Sequence, residues 1–245
     1  MTLEGRTAMV TGGARRLGAA IVRGLAANGC RTIIHCRNSM EEAKILAGEI
    51  RNGGGKTQVV RRDLADPDDI ALWFESLSEE IGEIDILVNS ASEYIRDRYE
   101  TMSPADLNRS MAIHAVSPLA MITAMKGRNT PGAVVNLLDT RTSGPDPGHA
   151  SYHLGKRALA ALTRELAVEM APNIRINAVS PGIVLPAEGK DPDWIERMAL
   201  TNPMGRWGHE GDVVDAVLYL IRADFVTGEI LHVDGGRHLN GCRNE

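Results

Sequence analysis

The chain has 245 residues, of which 43% are hydrophobic, and carries a formal net charge of −5 at pH 7. A chain of this length is expected to form one or two domains. A net negative charge without a basic block disfavours nucleic acid as a partner. Because no apolar run approaches the ~20 residues of a membrane helix, we expect no membrane span. The start leads directly into a strand-like run, so we also expect no signal peptide. The cysteines have neither metal-ligand nor disulfide spacing, which predicts reduced thiols, no bound metal and a cytoplasmic location: Cys30, Cys36 and Cys242.

Apolar runs typical of strands alternate with segments of helical periodicity along the chain. We predict strands at 7–11, 31–36, 57–61, 85–89, 133–138, 174–179 and 229–233. Helices are predicted at 19–28, 40–50, 66–80, 103–125, around Tyr152, at 194–199 and at 210–221. Asp66 should cap the third helix with Pro67 at its first position, and Pro118 should bend the fourth helix. The pattern predicts a single α/β domain over 1–245, a doubly wound parallel seven-stranded sheet (Rossmann-like) with helices on both faces.

A glycine-rich turn stands between the first strand and the first helix. Its sequence is Gly12-Gly13-Ala14-Arg15-Arg16-Leu17-Gly18. Strand, glycine-rich turn and helix form the context of a dinucleotide site, where backbone amides and a helix N-terminus approach a pyrophosphate. We therefore predict cofactor contacts from five of these residues: Gly12, Arg15, Arg16, Leu17 and Gly18.

Small and polar residues follow the other predicted strands as well. In a parallel sheet, ligands bind beyond the carboxyl ends of the strands, so these segments should meet at one edge. The segments are 35–39, 63–64, 89–94, 138–141 and 180–184.

Tyr152 and Lys156 stand four residues apart in a helical segment and therefore share one face. A tyrosine and a lysine at this spacing are usually just neighbours on a helix surface. Here the small and polar segments at the strand ends make a functional pair the better interpretation. An ammonium beside a phenol favours the phenolate, so we expect Lys156 to lower the pKa of Tyr152 from about 10 towards neutrality. The pair is a candidate proton donor on a rigid element.

These features together resemble the short-chain dehydrogenase/reductase family over nearly the whole chain. The resemblance implies an NAD(P)-dependent oxidoreductase in which Tyr152 donates a proton and Lys156 binds the ribose and lowers the Tyr152 pKa. It also implies a homotetramer that pairs through the helix around Ala115 and the Tyr152 helix. The matching motifs are Thr11-Gly12…Gly18, Asp63-Leu64, Asn89-Ser90-Ala91, Tyr152-x-x-x-Lys156, Asn177 and Pro181-Gly182.

Three departures from the family pattern are informative. Arg16 replaces the third glycine of the turn, Asp139 replaces the catalytic serine thirteen residues before Tyr152, and His114 replaces a helix asparagine. With these departures the chain resembles the pteridine reductase branch, which includes the bacterial dihydromonapterin reductases. Further similarity lies in segments 13–18, 89–92 and 225–239.

A pterin is a flat, hydrogen-bonding ring, and the resemblance implies how it would be held. Tyr94 would stack on the ring, Arg16 would reach both the cofactor phosphates and the pterin edge, and Ser92 would also contact substrate. The alternatives are that Tyr94 is a plain loop aromatic and that Arg16 is a solvated helix-start residue.

Asp139 has two open interpretations. Its carboxylate could hold or relay the Tyr152 proton, or it could be a helix cap or turn residue. A carboxylate beside a developing oxyanion would be repelled, whereas a C=N acceptor gains a proton and develops no oxyanion. Asp139 therefore favours a C=N substrate over a carbonyl. His114 could order water near Lys156, although we prefer a satisfied core histidine.

The second strand ends in His35-Cys36-Arg37-Asn38-Ser39, without the acid that NAD enzymes place there. Arg37, with Arg15, could bind a 2′-phosphate, so we predict NADPH. The pteridine reductases more often have their arginine one residue later, at Asn38. Asp63 would bond the adenine amino group. Other predicted cofactor contacts are His35, Asn38, Ser39, Leu64, Asn89, Ser90, Ala91, Ser180, Pro181, Gly182 and Val184.

The predicted activity is NADPH-dependent reduction of a dihydropterin, such as dihydromonapterin, dihydrobiopterin or dihydrofolate. Asp139, Tyr152 and Lys156 are the predicted catalytic residues, and 185–207, with Trp194, is the predicted substrate lid. One alternative is a short-chain carbonyl or ketoacyl reductase. Another is a non-catalytic NADPH-binding sensor.

Overall fold

Seven strands of the computed structural model lie side by side in one sheet. They are β1 (Thr7–Thr11), β2 (Arg31–Cys36), β3 (Thr57–Arg61), β4 (Ile86–Asn89), β5 (Gly132–Leu137), β6 (Ile174–Pro181) and β7 (Ile230–Val233). Their spatial order is β3-β2-β1-β4-β5-β6-β7, and every neighbouring pair is parallel. The structure describes residues 1–127, 130–144, 148–186, 189 and 193–239.

Helices cover both faces of this sheet. They are α1 (Arg16–Ala27), α2 (Met40–Asn52), α3 (Ile70–Ile81), α4 (Pro104–Met111), α5 (Ser117–Ala124), α6 (Ala150–Glu169), α7 (Trp194–Ala199) and α8 (Glu210–Arg222). Side chains of α1, α2 and α8 share one core cluster, and those of α3, α5 and α6 share another. The predicted doubly wound α/β fold is confirmed. In the described part of the chain, no helix has the length and apolarity that a membrane crossing requires.

The central strands supply both cores in alternation. In β1, Ala8 and Val10 belong to the first cluster and Met9 to the second. In β2, Ile34 belongs to the first cluster and Ile33 to the second. All five are fully buried. Successive side chains point to opposite faces, so a strand covered on both faces must be apolar throughout. Burying each large side chain contributes roughly 1.5–3 kcal/mol.

The third helix begins later than predicted. Ile70 N donates to Pro67 O at 3.3 Å, which closes a turn, and the first helical bond runs from Trp73 N to Asp69 O at 2.9 Å. Asp69, which pairs with Arg62, is the N-cap residue of α3. The prediction that Asp66 caps the helix with Pro67 at its first position is therefore wrong, because Pro67 lies in the preceding turn.

The long helix predicted from 103 to 125 is interrupted just before Pro118. Residues Ala112–Val116 form a π-helical turn between α4 and α5. Proline has no N–H to donate to the carbonyl four residues earlier, so the regular bonding pattern is lost at this point. Ser103 Oγ caps the start of α4 by accepting from Asp106 N at 3.0 Å.

Candidate active site

A cleft of about 1610 Å³ lies along the carboxyl ends of the strands. Most of the residues predicted to contact cofactor or substrate line it, as expected for this kind of sheet. Three do not. Asn89 is buried and donates to Asn136 Oδ1 at 2.8 Å, linking β4 to β5, and Val184 packs against the first core cluster. Ser180 is fully buried in β6. These three side chains do not line the cleft, and the cofactor contacts predicted for them stay predictions.

The glycine-rich turn requires its glycines. A Cβ on Gly12 would lie 2.8 Å from Ala91 Cα, and one on Gly18 would lie 2.2 Å from the Gly12 carbonyl oxygen. Thr11 Oγ1 accepts from the backbone N–H groups of Ser90 and Ala91, both at 3.0 Å. The loop after β4 therefore packs directly on the turn and leaves a narrow backbone cradle at the start of α1.

Arg16 has the backbone conformation of a glycine, with φ at +50°. This left-handed conformation costs an ordinary residue roughly 1–2 kcal/mol. The position therefore combines a glycine-like backbone with a long cationic side chain. Its Nη2 donates to Pro186 O at 2.6 Å, which joins the turn to the start of the predicted lid.

His35 supports the turn from the inside. Gly12 N donates to its Nδ1 at 3.2 Å, so its proton lies on Nε2, which bonds Arg62 O at 3.0 Å. Burial lowers the pKa of His35 to about 4. His35 lines the cleft while its ring bonds are internal, and its predicted cofactor contact stays a prediction.

Near the end of β2, Arg37 is engaged by an acid that the sequence analysis missed. Glu93 pairs with Arg37 and accepts from Arg109 Nε and Nη2 at 2.6 and 2.7 Å. The hydrogen bonds from Arg109, the larger cause, and from Arg37 hold the pKa of Glu93 below its usual range. Arg109 also lies 3.9 Å from Asp63. Glu93 stands in the flagged segment 89–94, but nothing in the sequence connects it to Arg109 in α4.

Asp139, at the end of β5, meets Tyr152 of α6. The Tyr152 hydroxyl donates to Asp139 Oδ2 at 3.0 Å, while Asp139 Oδ1 accepts from Arg141 N at 2.8 Å. The second bond caps the 3₁₀ turn Thr140–Ser143. One carboxylate oxygen therefore caps the turn and the other accepts from the phenol, and relay of the Tyr152 proton stays a prediction.

The charges around Tyr152 act against our expectation. Burial, followed by the charge of Asp139, raises the pKa of Tyr152 well above its ordinary value. Lys156 Nζ donates to Leu137 O at 2.7 Å and lies 5.9 Å from the Tyr152 ring centroid. Burial lowers the pKa of Lys156 to about 8. The predicted lowering of the Tyr152 pKa by Lys156 is wrong here, and the phenol keeps its proton at neutral pH.

His114 is a satisfied interior histidine. Its Nε2 faces Ser92 Oγ at 3.1 Å and accepts from Glu93 N at 3.4 Å, and its Nδ1 faces Ser110 Oγ at 3.1 Å. Its ring packs edge-on against Tyr152 at 5.3 Å. Burial, with the charge of Lys156, lowers its pKa well below the usual value. The preferred core interpretation is supported, and the Ser92 hydroxyl, predicted to contact substrate, bonds His114.

Tyr94 stands at the cleft with half of its surface exposed. It packs edge-on against Tyr152 at 4.8 Å and stacks on His149 at 3.8 Å. Arg141 Nη1 donates to its hydroxyl at 3.4 Å. The structure therefore places Tyr94 beside Tyr152. It adds His149, which the sequence did not indicate, and Arg141, which lies in the predicted segment 138–141 but had no assigned role.

Asp234, also missed, ties two loops of the site together. It accepts from Thr140 Oγ1, next to Asp139, and from His238 N at 2.8 Å. A Cβ on Gly182 would lie 2.6 Å from Asp234 Cα, so the loop after β6 passes directly over it.

Part of the predicted lid lies outside the described residues, namely 187, 188 and 190–192. In the described part, Trp194 and Met198 of α7 line the cleft. Movement of this segment stays a prediction.

A glycine cradle lies at the carboxyl edge of the parallel sheet, beside a half-buried acid and a buried phenol and amine. This arrangement defines an oxidoreductase of the nicotinamide-dependent class. The family model described as enoyl-(acyl carrier protein) reductase matches residues 12–238. The chain belongs to the short-chain dehydrogenase/reductase family.

Relatives within this family carry different names. The structure of FolM alternative dihydrofolate reductase 1 from Brucella canis, complexed with NADP, has a TM-score of 0.91 and 36% identity, covering 97% of this chain and 96% of that one. An uncharacterized oxidoreductase of Mycobacterium tuberculosis (strain CDC 1551 / Oshkosh) is 31% identical over 96% of this chain and 92% of its own length. The 3-oxoacyl-[acyl-carrier-protein] reductase FabG of Staphylococcus aureus (strain Mu50) is 26% identical over 96% and 98%.

Proposed function

We propose that the protein is an NADPH-dependent reductase of a dihydropterin. The observation that carries the proposal is the Asp139 carboxylate bonded to the Tyr152 hydroxyl at 3.0 Å, where the family pattern has a serine. The FolM protein, 36% identical over nearly the full length, is named a dihydrofolate reductase and supports the same substrate class.

The residues present suit NADPH. The cradle at Gly12 and Gly18 admits backbone but no Cβ, as a pyrophosphate site requires. Arg37 would bind the 2′-phosphate, Asp63 the adenine, and Lys156 the ribose, while Pro181-Gly182 would border the nicotinamide. When bound, NADPH supplies the hydride. The FolM structure contains NADP, which supports this choice.

The acid at position 139 selects the substrate by its hydrogen-bonding character. An ionised carboxylate accepts hydrogen bonds and donates none, so it suits the N–H edge of a pterin and repels a developing oxyanion. Reduction of a C=N bond also requires one proton at nitrogen. The Tyr152 hydroxyl is protonated at neutral pH and would supply that proton, and the Lys156 ammonium, 5.9 Å from the ring centroid, would offset the charge of the phenolate left behind.

The cleft provides the remaining contacts for a flat ring. Tyr94 would stack on the pterin, and Arg16, Ser92 and the segment 185–207 would bound it. Offset stacking contributes about 1 kcal/mol.

The test is NADPH oxidation, followed by the loss of reduced-nicotinamide absorbance, with dihydrobiopterin, dihydromonapterin and dihydrofolate as substrates. We expect turnover with at least one of them. Lack of turnover with all three would remove the pterin assignment.

The second candidate is a carbonyl or ketoacyl reductase, favoured by the FabG relative. Asp139→Ser separates the two candidates. A carbonyl reductase should keep or gain activity, because a serine hydroxyl donates to the oxyanion, whereas a pterin reductase should lose it.

A non-catalytic NADPH sensor is the third candidate. It predicts NADPH binding without turnover over a broad substrate panel.

The homotetramer and the cytoplasmic location stay predictions. Val116 and Val168 are exposed apolar residues on the helices expected to pair, and light scattering measures the assembly directly.

A further inference from the structure

The Glu93 carboxylate joins two arginines that come from different parts of the fold. Arg37 follows β2, Arg109 lies in α4, and Glu93 stands in the loop after β4. Glu93 and Arg37 both line the cleft. The guanidinium of Arg37 is therefore held by a carboxylate at the place where we propose that it binds the cofactor.

The two arginines hold Glu93 unequally. Arg109 donates two hydrogen bonds, at 2.6 and 2.7 Å, in the bidentate geometry typical of strong arginine–carboxylate pairs. Arg37 pairs with the same carboxylate through Nη1 alone. If Arg37 departs, Glu93 keeps its bidentate partner, so Arg37 is the exchangeable member of the cluster.

A cofactor 2′-phosphate and the Glu93 carboxylate are both anions that require the same guanidinium. The Arg37 side chain is 37% exposed and that of Glu93 23%, so the pair is accessible from the cleft. Binding the phosphate would therefore weaken or displace the Glu93–Arg37 pair and bring a second anion close to Glu93, since the two anions share one guanidinium. NADH lacks this phosphate and requires no such exchange.

We propose that Glu93 is a cofactor-specificity residue that holds Arg37 in the free protein and weakens the binding of NADPH relative to NADH. The inference rests on the role proposed for Arg37. Arg37 exchanges the carboxylate for the 2′-phosphate, while Arg109 retains Glu93.

Glu93→Gln tests the inference, because glutamine keeps the shape and can still accept from Arg109. Dissociation constants for NADPH and NADH are measured by nicotinamide fluorescence, and melting temperatures verify folding. We expect NADPH binding to become about three- to tenfold tighter, as for the loss of one competing charged bond, with NADH changed less than about twofold.

Two controls make the result specific. Glu41→Gln removes the same charge at the start of α2, where Glu41 pairs with Lys44 outside the cleft, and it should leave the NADPH constant within about twofold. The gain from Glu93→Gln should disappear in an Arg37→Gln background, as a double-mutant cycle requires.

The contrary outcomes are distinct. Weaker NADPH binding by Glu93→Gln would mean that Glu93 orients Arg37, and an equal gain for NADH or by Glu41→Gln would reveal a general charge effect. Either result overturns the inference and leaves the proposed function intact. If Arg37→Gln alone does not weaken NADPH relative to NADH, the role proposed for Arg37 is itself wrong.

Discussion

The hydroxyl of Tyr152 and the carboxylate of Asp139 lie 3.0 Å apart and connect helix α6 to the end of strand β5. Because Arg141 N holds the other carboxylate oxygen, Asp139 cannot rotate away without losing its cap bond. The acid is thus held by a backbone N–H, and the buried phenol is held on helix α6.

Asp139→Asn should keep the bond from Arg141 N and disrupt the bond from the Tyr152 hydroxyl. The amide oxygen can still accept from Arg141 N, but the amide nitrogen would face the phenol as a donor. We expect kcat/KM for the dihydropterin to fall about a hundredfold, the usual contribution of general acid–base groups, with unchanged NADPH binding. The free energy of unfolding should change by less than about 1 kcal/mol. Wild-type kcat/KM in a fully folded variant would exclude Asp139 from the chemistry.

Gly155 of α6 lies against the His114 network. A Cβ there would lie 2.9 Å from Ser110 Oγ and 3.0 Å from His114 Nδ1. We expect Gly155→Ala to destabilise the protein by about 1–3 kcal/mol in urea unfolding, because the packed neighbours must shift. Gly48→Ala is the matched control in α2. It meets nothing within 4 Å, so the helix should gain about 0.5–1 kcal/mol. Equal effects of the two substitutions would contradict this packing argument.

His35 should make stability depend on pH. Its pKa is about 4 in the folded protein against an ordinary 6.5. Between these values the unfolded chain binds more protons, so stability is complete above about pH 6.5 and is lost as pH falls towards 4, by up to about 3 kcal/mol. Urea unfolding at pH 7, 5.5 and 4.5 measures this loss. His35→Asn should show a shallower slope, and an identical slope in the variant would assign the pH dependence to other groups.

Arg16 offers a comparison of two substitutions at one strained position. Both Arg16→Gly and Arg16→Ala remove the bond to Pro186 O, but only alanine keeps the cost of a φ of +50°. We expect the glycine variant to be more stable by about 1 kcal/mol in urea unfolding. An alanine variant of equal stability would show that the turn relaxes.

Patterns along the chain were sufficient for the framework. Strands β1, β2 and β3 and helix α7 have the predicted bounds, because apolar runs and helical periodicity are local properties of a segment. The positive φ values of Gly12 and Arg16 are local geometry, whereas the close approach of Ala91 to Gly12 is a tertiary contact.

Sequence alone determined this protein's parallel sheet, its cradle for a dinucleotide and the acid, phenol and amine at its edge. The tertiary structure decided how those groups are used. Only the packed sheet brings Glu93 to Arg37, 56 positions away, turns the His35 ring inward, and raises the Tyr152 pKa. The physical reason is that charge, burial and hydrogen bonding depend on distances in space, which are set by strand order and helix packing rather than by neighbours in the chain.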